Sequence, residues 1–457
     1  MESFEFSSYE IDAQSGRVQL KYAFNEGPSF VETIDFNHPL PSNDSPYAED
    51  FNLCIRALWR MAGVSYYKAF APAIITSPVV PFDDRERVFF QTVYRGGLAE
   101  FGYRNGLDII ERVNFFREPD SLIKTGAHSV RPNVKERRSM PRGDTKLPRR
   151  SAVLIGGGKD SIVSIELLRS IGEPIVLFAV NPKGPISACI ESSGLPSITV
   201  QRQLDPGLFE LNDAGALNGH VPITGLISWI ALAGAFVYGY DAVILSNERS
   251  ANEGNININD RSVNHQYSKS LDFENDMRSY LAGYLSTQVD YFSLLRPLSE
   301  IHIAKLLSKS ERYDSSFSSC NRAFKIRSSQ SAPRWCGDCP KCRFTYLSLA
   351  TAISRERLNQ IFRCHLLDEP TQIQGFKELV GLANHKPWEC VGEIAESAAA
   401  IMHLAADPAW ANSVVIKELA PEIAARRPFT LWPELFTLST DHNLAPKYLQ
   451  GLNANVE

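Results

Sequence analysis

The chain has 457 residues, 44% hydrophobic and 22% charged, which is enough apolar material for two or three cores and excludes a disordered or fibrous protein. A formal net charge of -5 excludes a global pull toward nucleic acid or an anionic membrane, so small anionic ligands need local, purpose-built sites. The opening residues, MESFEFSSYEID, have neither the basic start nor the apolar run of a signal peptide, and the expectation is a cytoplasmic protein. From Phe4 to Phe36, apolar and polar residues alternate (Val18, Leu20, Tyr22, Phe24 on one side) with Gly16 and Gly27 as punctuation, which predicts strands and a hairpin. A helical pattern follows around Asn52 to Ala69. Arg131 to Arg150 then holds eight Lys or Arg residues and three prolines with little apolar periodicity, and reads as a solvated linker or a phosphate-contacting arm.

From Ser151 the texture changes to short apolar strands alternating with helices: Ala152 to Ile155, Ile162 to Leu168, Ile175 to Val180, and later Ala242 to Leu245. Such alternation implies a parallel sheet covered on both faces. The apolar run Val221 to Val237 is short and broken by Pro222, Gly225 and Ser228, so it reads as a buried helix and not a membrane span. Beyond about Ala350 the pattern is nearly all helical, including Cys390 to Leu404. The expected fold is therefore α/β. An α+β N-terminal domain with its basic linker spans 1–150, a parallel-sheet nucleotide domain 151–350, and a helical C-terminal region 351–457.

Three glycines, Gly156, Gly157 and Gly158, stand between the apolar strand and the helix, followed by Lys159, Asp160 and Ser161. Glycine lets the backbone turn tightly and approach a ligand, while a helix N-terminus offers unpaired amides and a positive dipole end, a combination that binds phosphate. The spacing fits neither G-x-x-x-x-G-K-[ST] nor G-x-G-x-x-G. It resembles the S-G-G-x-D-S loop of the ATP-pyrophosphatase (PP-loop) superfamily, with Gly156 in place of the first serine. That resemblance implies ATP cleavage to AMP and pyrophosphate, with all six residues in the nucleotide site, Asp160 organising magnesium and Lys159 adding a phosphate contact.

Cys336-Gly-Asp-Cys339-Pro-Lys-Cys342 contains two overlapping C-x-x-C units, and Cys320 lies upstream. In a chain with eight cysteines and no export signal, this spacing suits a closed four-sulfur site for structural zinc. A redox pair or plain reduced thiols remain open. The 7-cyano-7-deazaguanine synthases, which carry a similar cysteine element, share both motifs.

Ser246-Asn247-Glu248-Arg249-Ser250-Ala251-Asn252, directly after a predicted strand, puts polar groups where open α/β sheets bind ligands, and Asn264 to Lys269 is equally polar. Asn247, Glu248, Arg249, Asn252, Arg261 and His265 are the substrate-binding candidates, with Arg249 and Arg261 suited to clamping a carboxylate or pyrophosphate. Taken with Tyr94-Arg-Gly-Gly-Leu-Ala-Glu-Phe, Asn218-Gly-His-Val-Pro-Ile-Thr and His385-Lys-Pro-Trp-Glu-Cys-Val-Gly, these segments resemble the UDP-N-acetylmuramoyl-L-alanyl-L-glutamate epimerase (MurL) family across most of the chain. The resemblance implies an isomerase of peptidoglycan precursor synthesis that uses ATP and magnesium to invert the terminal L-glutamate of a UDP-muramoyl dipeptide. Acid-base candidates alongside Lys159 and Asp160 are His265, Glu248, Cys390, His220 and Asp272. A carboxylate-activating ligase like the 7-cyano-7-deazaguanine synthases, or a nucleotide-binding regulator, is the competing reading. The expected partner is a small molecule, not nucleic acid or membrane, and the oligomeric state is left open.

Overall fold

The computed structural model describes residues 1–116, 146–258, 261–324, 333–383, 386–426, 430 and 432–456, the side chains at 257, 258, 261, 262 and 456 excepted. Most of the basic stretch from 131 to 150 lies outside these residues, as does His385, and the side chain of Arg261 is outside them too. The chain is mixed α/β and divides into two compact units: 1–152, 198–243 and 267–291 in the first, and 153–197, 244–266 and 292–457 in the second. The stretch 151–350 is thus shared between them.

In the first unit, β1 (Ser3–Asp12), β2 (Arg17–Phe24) and β3 (Ser29–Asp35) form an antiparallel meander with Phe4 opposite Phe24 and Val18 opposite Ile34. The alternation places Phe4, Phe6, Val18, Leu20, Tyr22, Phe30 and Ile34 in the core and their neighbours outward. The short β4 (Ile74–Thr76) runs parallel to β1. The helix Ala48–Ala62 seals the apolar face: Trp59 meets Phe6 edge-on at 5.3 Å, and its indole N–H donates to Lys21 O at 3.1 Å. The apolar run noted in the sequence is the helix Ile223–Tyr238, buried along most of its length and packed on Ala48–Ala62. Among the described residues, no helix is long and apolar enough to cross a membrane.

In the second unit lie β6 (Ile175–Val180) and the carboxyl halves of β5 (Ser151–Leu154), β8 (Ala242–Leu245) and β11 (Asp290–Ser293), in the order β11-β8-β5-β6. β7 (Ser197–Gln203) belongs, all but Ser197, to the first unit, where it pairs antiparallel with β3, and β9 (Ile256–Ile258) and β10 (Arg261–Val263) pair as a small antiparallel ribbon in the second. β6 and β8 are unbroken apolar runs, as parallel strands covered on both faces tend to be. Leu294 N–H donates to Leu245 O at 2.9 Å and Ile155 N–H to Phe178 O at 3.0 Å, which aligns the carboxyl ends. The helices Lys159–Ser170 and Glu300–Leu307 pack together just beyond those ends. The helices Pro340–Ala350, Ile373–Leu379, Ile394–Ala405 and Val414–Ala425 pack on one another, giving the helical character expected of this region. Cys390 is not helical, however: the helix begins at Ile394, after Gly392, where a Cβ would come within 2.3 Å of the Phe344 ring.

Candidate active site

The turn from β5 into the helix Lys159–Ser170 is built by Gly157, whose φ of 73° lies in the left-handed region. A Cβ there would sit 2.7 Å from the backbone nitrogen of Ile186, so only glycine fits. Ser318 N–H donates to Gly157 O at 2.9 Å and fixes the turn from the other side. Gly158 is the N-cap, no side chain caps this helix, and a Cβ on the exposed Gly156 would meet nothing within 4 Å. The loop therefore presents open space beside an uncapped helix N-terminus, which suits an anionic ligand. Ser161 turns its hydroxyl back to Gly158 O at 2.9 Å, holding the first turn of the helix.

Lys159 is buried, and its ammonium contacts the carboxylates of both Asp160 and Glu300. Burial alone would lower its pKa, but Asp160, Glu300 and Glu248 outweigh burial and raise it, so the lysine stays charged. Glu300 is pushed up to about 8, first by burial, against the pull of Lys159, and further by the negative charges of Asp160 and Glu248. Glu248, also buried, accepts a hydrogen bond from Ser250 Oγ at 3.2 Å, and Arg296 Nη1 donates to its backbone oxygen at 2.9 Å. Two carboxyl groups thus touch one ammonium, and a third, Glu248, acts on it through its charge.

A second layer continues from this group. Glu396, fully buried in the helix Ile394–Ala405, accepts from Glu300 N–H at 3.2 Å and so caps the helix Glu300–Leu307 beside Ser299. Arg249 pairs with Glu396 at 3.3 Å and Glu393 at 3.2 Å. Burial together with the neighbouring Glu393 and Glu300 holds Glu396 well above the ordinary carboxylate range. Arg249, singled out as a clamp for a ligand carboxylate, is thus engaged by two protein carboxylates.

Asn247 is buried and donates from Nδ2 to Ser293 Oγ at 3.0 Å, tying the ends of β8 and β11, while Asn252 is exposed. His265 donates its backbone N–H to Asn255 Oδ1 at 2.9 Å and is half-buried. Cys390 sits in a segment pinned at three points: Lys386 to the Glu253 carboxylate, Pro387 O to Asn255 Nδ2 at 2.9 Å, and the Glu389 carboxylate to Asn321 Nδ2. His220 and Asp272 belong to the first unit. Sequence reasoning missed Glu300 and Glu396. Their signals were a Ser-Glu pair opening a helix after β11, and a lone acid at the head of the Ala398–Ala400 run.

Cys320, Cys336, Cys339 and Cys342 bring their sulfurs within 4.8 Å of one another, with 3.5 Å between Cys339 and Cys342 and 3.8 Å between Cys336 and Cys342. Zinc–sulfur bonds of about 2.3 Å in a tetrahedron separate sulfurs by ~3.8 Å, so the four thiols fit a zinc ion. Gly337, in the left-handed region, forms the knuckle, and Asp338 N–H donates to Cys336 Sγ at 3.4 Å. Hydrogen bonds with Cys339 and Cys342 pull the Cys320 thiol well below its ordinary range, while those with Cys320 and Cys339 push the Cys342 thiol up. All four protein positions are sulfur, leaving no open position for catalysis.

Residues 1–294 match the family model of the MurL N-terminal domain and residues 316–430 that of the MurL C-terminal domain. The chain is 40% identical over 462 residues to a UDP-N-acetyl-alpha-D-muramoyl-L-alanyl-L-glutamate epimerase of a Micromonospora species, covering 99% of this chain and 98% of that protein. A protein of the same name from Xanthomonas oryzae pv. oryzae is 38% identical over 99% of this chain and 97% of its own length. A third, from Salinispora tropica, is 39% identical over 94% of this chain and 90% of its own.

Proposed function

This chain belongs to the MurL family, and on that premise we propose that it inverts the terminal L-glutamate of UDP-N-acetylmuramoyl-L-alanyl-L-glutamate to D-glutamate, consuming ATP to AMP and pyrophosphate. The observation that carries the ATP-dependent part is the glycine turn at 156–158 opening onto an uncapped helix whose Lys159 and Asp160 face Glu300. The chain would act as a PP-loop enzyme, with its nucleotide domain drawn from 151–350 and the four-cysteine zinc element bracing it.

Within this reading the loop amides and the helix N-terminus would hold the phosphates, and Asp160, with Glu300 across the lysine from it, would hold magnesium. When bound, ATP supplies the adenylyl group that turns the glutamyl α-carboxylate into a neutral mixed anhydride, with pyrophosphate leaving. The chemical need is plain: removing an α-proton beside a free carboxylate builds a second negative charge next to the first. In the anhydride the developing charge delocalises as an enolate that nearby donors can stabilise. One side chain takes the proton on one face and another returns a proton on the other, with His265, Glu248 and Cys390 as the candidates. Water then cleaves the anhydride, releasing AMP and the inverted dipeptide. The buried Lys159 keeps its charge throughout and orients the carboxylates.

The test is incubation in heavy water with ATP and the L-Glu substrate. Deuterium should enter at the glutamate α-carbon and the product should contain D-glutamate, and neither change should occur without ATP. Free L-glutamate should react poorly, because the uridine and sugar portions supply the binding energy that positions the reacting end. AMP formation coupled to an amide or nitrile product, with the α-hydrogen untouched, would replace this reading with the ligase alternative.

A further inference from the structure

Lys68, in the first unit, follows the short helix Val64–Tyr67 and is only 7% exposed. Its ammonium donates to Asn218 Oδ1 and, at 3.5 Å, to Gly219 O. Both acceptors are neutral, and among the described residues no carboxylate forms an ion pair with it. An ammonium has three donors, so one is left over. Burial lowers the lysine pKa to about 8, with no charged neighbour contributing. A buried cation without a counter-charge is costly, and a long lysine stem normally carries its head to water instead.

Leu217 N–H donates to Ala69 O at 3.1 Å, clamping the two loops together. Asn218 Oδ1 also accepts from Gly219 N–H at 2.8 Å. Asn218 and Gly219 are exposed, so the ammonium lies just beneath a surface loop. The next residue, His220, places a ring nitrogen within 4.8 Å of a carboxylate oxygen of Glu100, which Arg104 Nε also contacts at 2.6 Å. Packing fixes the loop, since a Cβ on Gly97 would come within 2.6 Å of Pro222 and one on Gly219 within 3.1 Å of Phe101. Tyr94 to Phe101 thus packs against Asn218 to Thr224, the loop that supplies both acceptors of Lys68.

We infer that Lys68, with Asn218 and His220 beside it, forms an anion subsite that takes a carboxylate or phosphoryl oxygen of the substrate. The inference rests on the proposed function for the identity of that substrate. The bound anion supplies the missing counter-charge, and the third N–H of Lys68 its missing acceptor.

Binding to the full-length protein tests this without turnover. The two probes are UDP-N-acetylmuramoyl-L-Ala-L-Glu and UDP-N-acetylglucosamine, which keeps the diphosphate and carries no carboxylate. In Lys68→Met the affinity should fall about tenfold or more, while the melting temperature of the free protein stays level or rises because an unpaired buried charge has gone. Loss confined to the dipeptide assigns the glutamyl carboxylates, and equal loss for both assigns the diphosphate. Asn218→Asp is the second variant: an internal carboxylate against Lys68 should stabilise the free protein and weaken the same ligand. Unchanged affinities in both variants overturn the subsite, as does a free Lys68→Met protein several degrees less stable with binding intact. A wild type that binds but does not epimerise removes the epimerase reading and leaves the subsite standing, and a wild type that binds neither probe overturns the subsite.

Discussion

The ammonium of Lys159 and the carboxylate of Glu300, 141 residues apart in the chain, are in direct contact inside the second unit. Glu300→Gln keeps the shape and a hydrogen-bonding group while removing a carboxyl that can ionise to share a cation beside the lysine. The fold should survive, since Lys159 keeps Asp160 as its partner. AMP formation should fall about a hundredfold or more, with a raised magnesium requirement, if Glu300 shares the cation. Pyrophosphate release measured across a magnesium series checks this, and wild-type dependence in the variant would remove Glu300 from the site.

Asp160→Ala should abolish AMP formation altogether while circular dichroism stays unchanged. The side chain is partly exposed at the first turn of its helix, where little core packing is at stake. A folded Asp160→Ala protein that still releases AMP would end the loop assignment.

Metal analysis should find about one zinc per chain, and Cys339→Ser should lose it together with several degrees of melting temperature, because a structural zinc contributes folding free energy directly. Equal stability of metal-free and untreated protein would leave the cluster as ordinary thiols.

His302 gives a pH prediction. Burial, reinforced by Lys305, Lys309 and Arg249, lowers its pKa to about 4 from an ordinary 6.5, and its ring packs edge-on against Phe436. Between those two values the unfolded chain binds a proton that the folded chain refuses. Stability from this group is therefore complete above about pH 6.5 and lost progressively as the pH falls toward 4, by about 3 kcal/mol in total. Denaturant titrations of wild type and His302→Phe should diverge over that window and run parallel above it; parallel curves throughout would show that the imidazole does not titrate this way.

The strand-to-helix turn at 156–158 and the three clustered cysteines are legible in the sequence because each depends on neighbours a few residues away. The meander of β1 to β3 is equally local, announced by alternation and glycine. Glu300, Glu396 and Lys68 are not legible, because what sets them apart is burial beside groups more than a hundred residues distant or, for Lys68, burial without an opposite charge. A periodicity cannot report that. Arg249 shows the converse ambiguity, since the chemistry that suits it to a ligand carboxylate suits it equally to Glu393 and Glu396. The helix expected from Cys390 begins at Ile394 because the close approach of Gly392 to Phe344 is a tertiary constraint.

The glycines of the turn are unequal, and this bears on how far the loop could be rewritten. Gly157 admits no other residue, whereas a side chain at Gly156 would enter empty space at an ordinary backbone angle. The serine that opens the S-G-G-x-D-S motif this loop resembles is therefore absent here by choice of sequence and not by force of shape. Placing a serine there asks nothing of the fold, so a Gly156→Ser protein isolates what one hydroxyl adds to binding of the proposed nucleotide. For an engineer the position is a vacant socket at the mouth of the site, open to a fluorescent or reactive side chain that reports occupancy without disturbing the scaffold beneath.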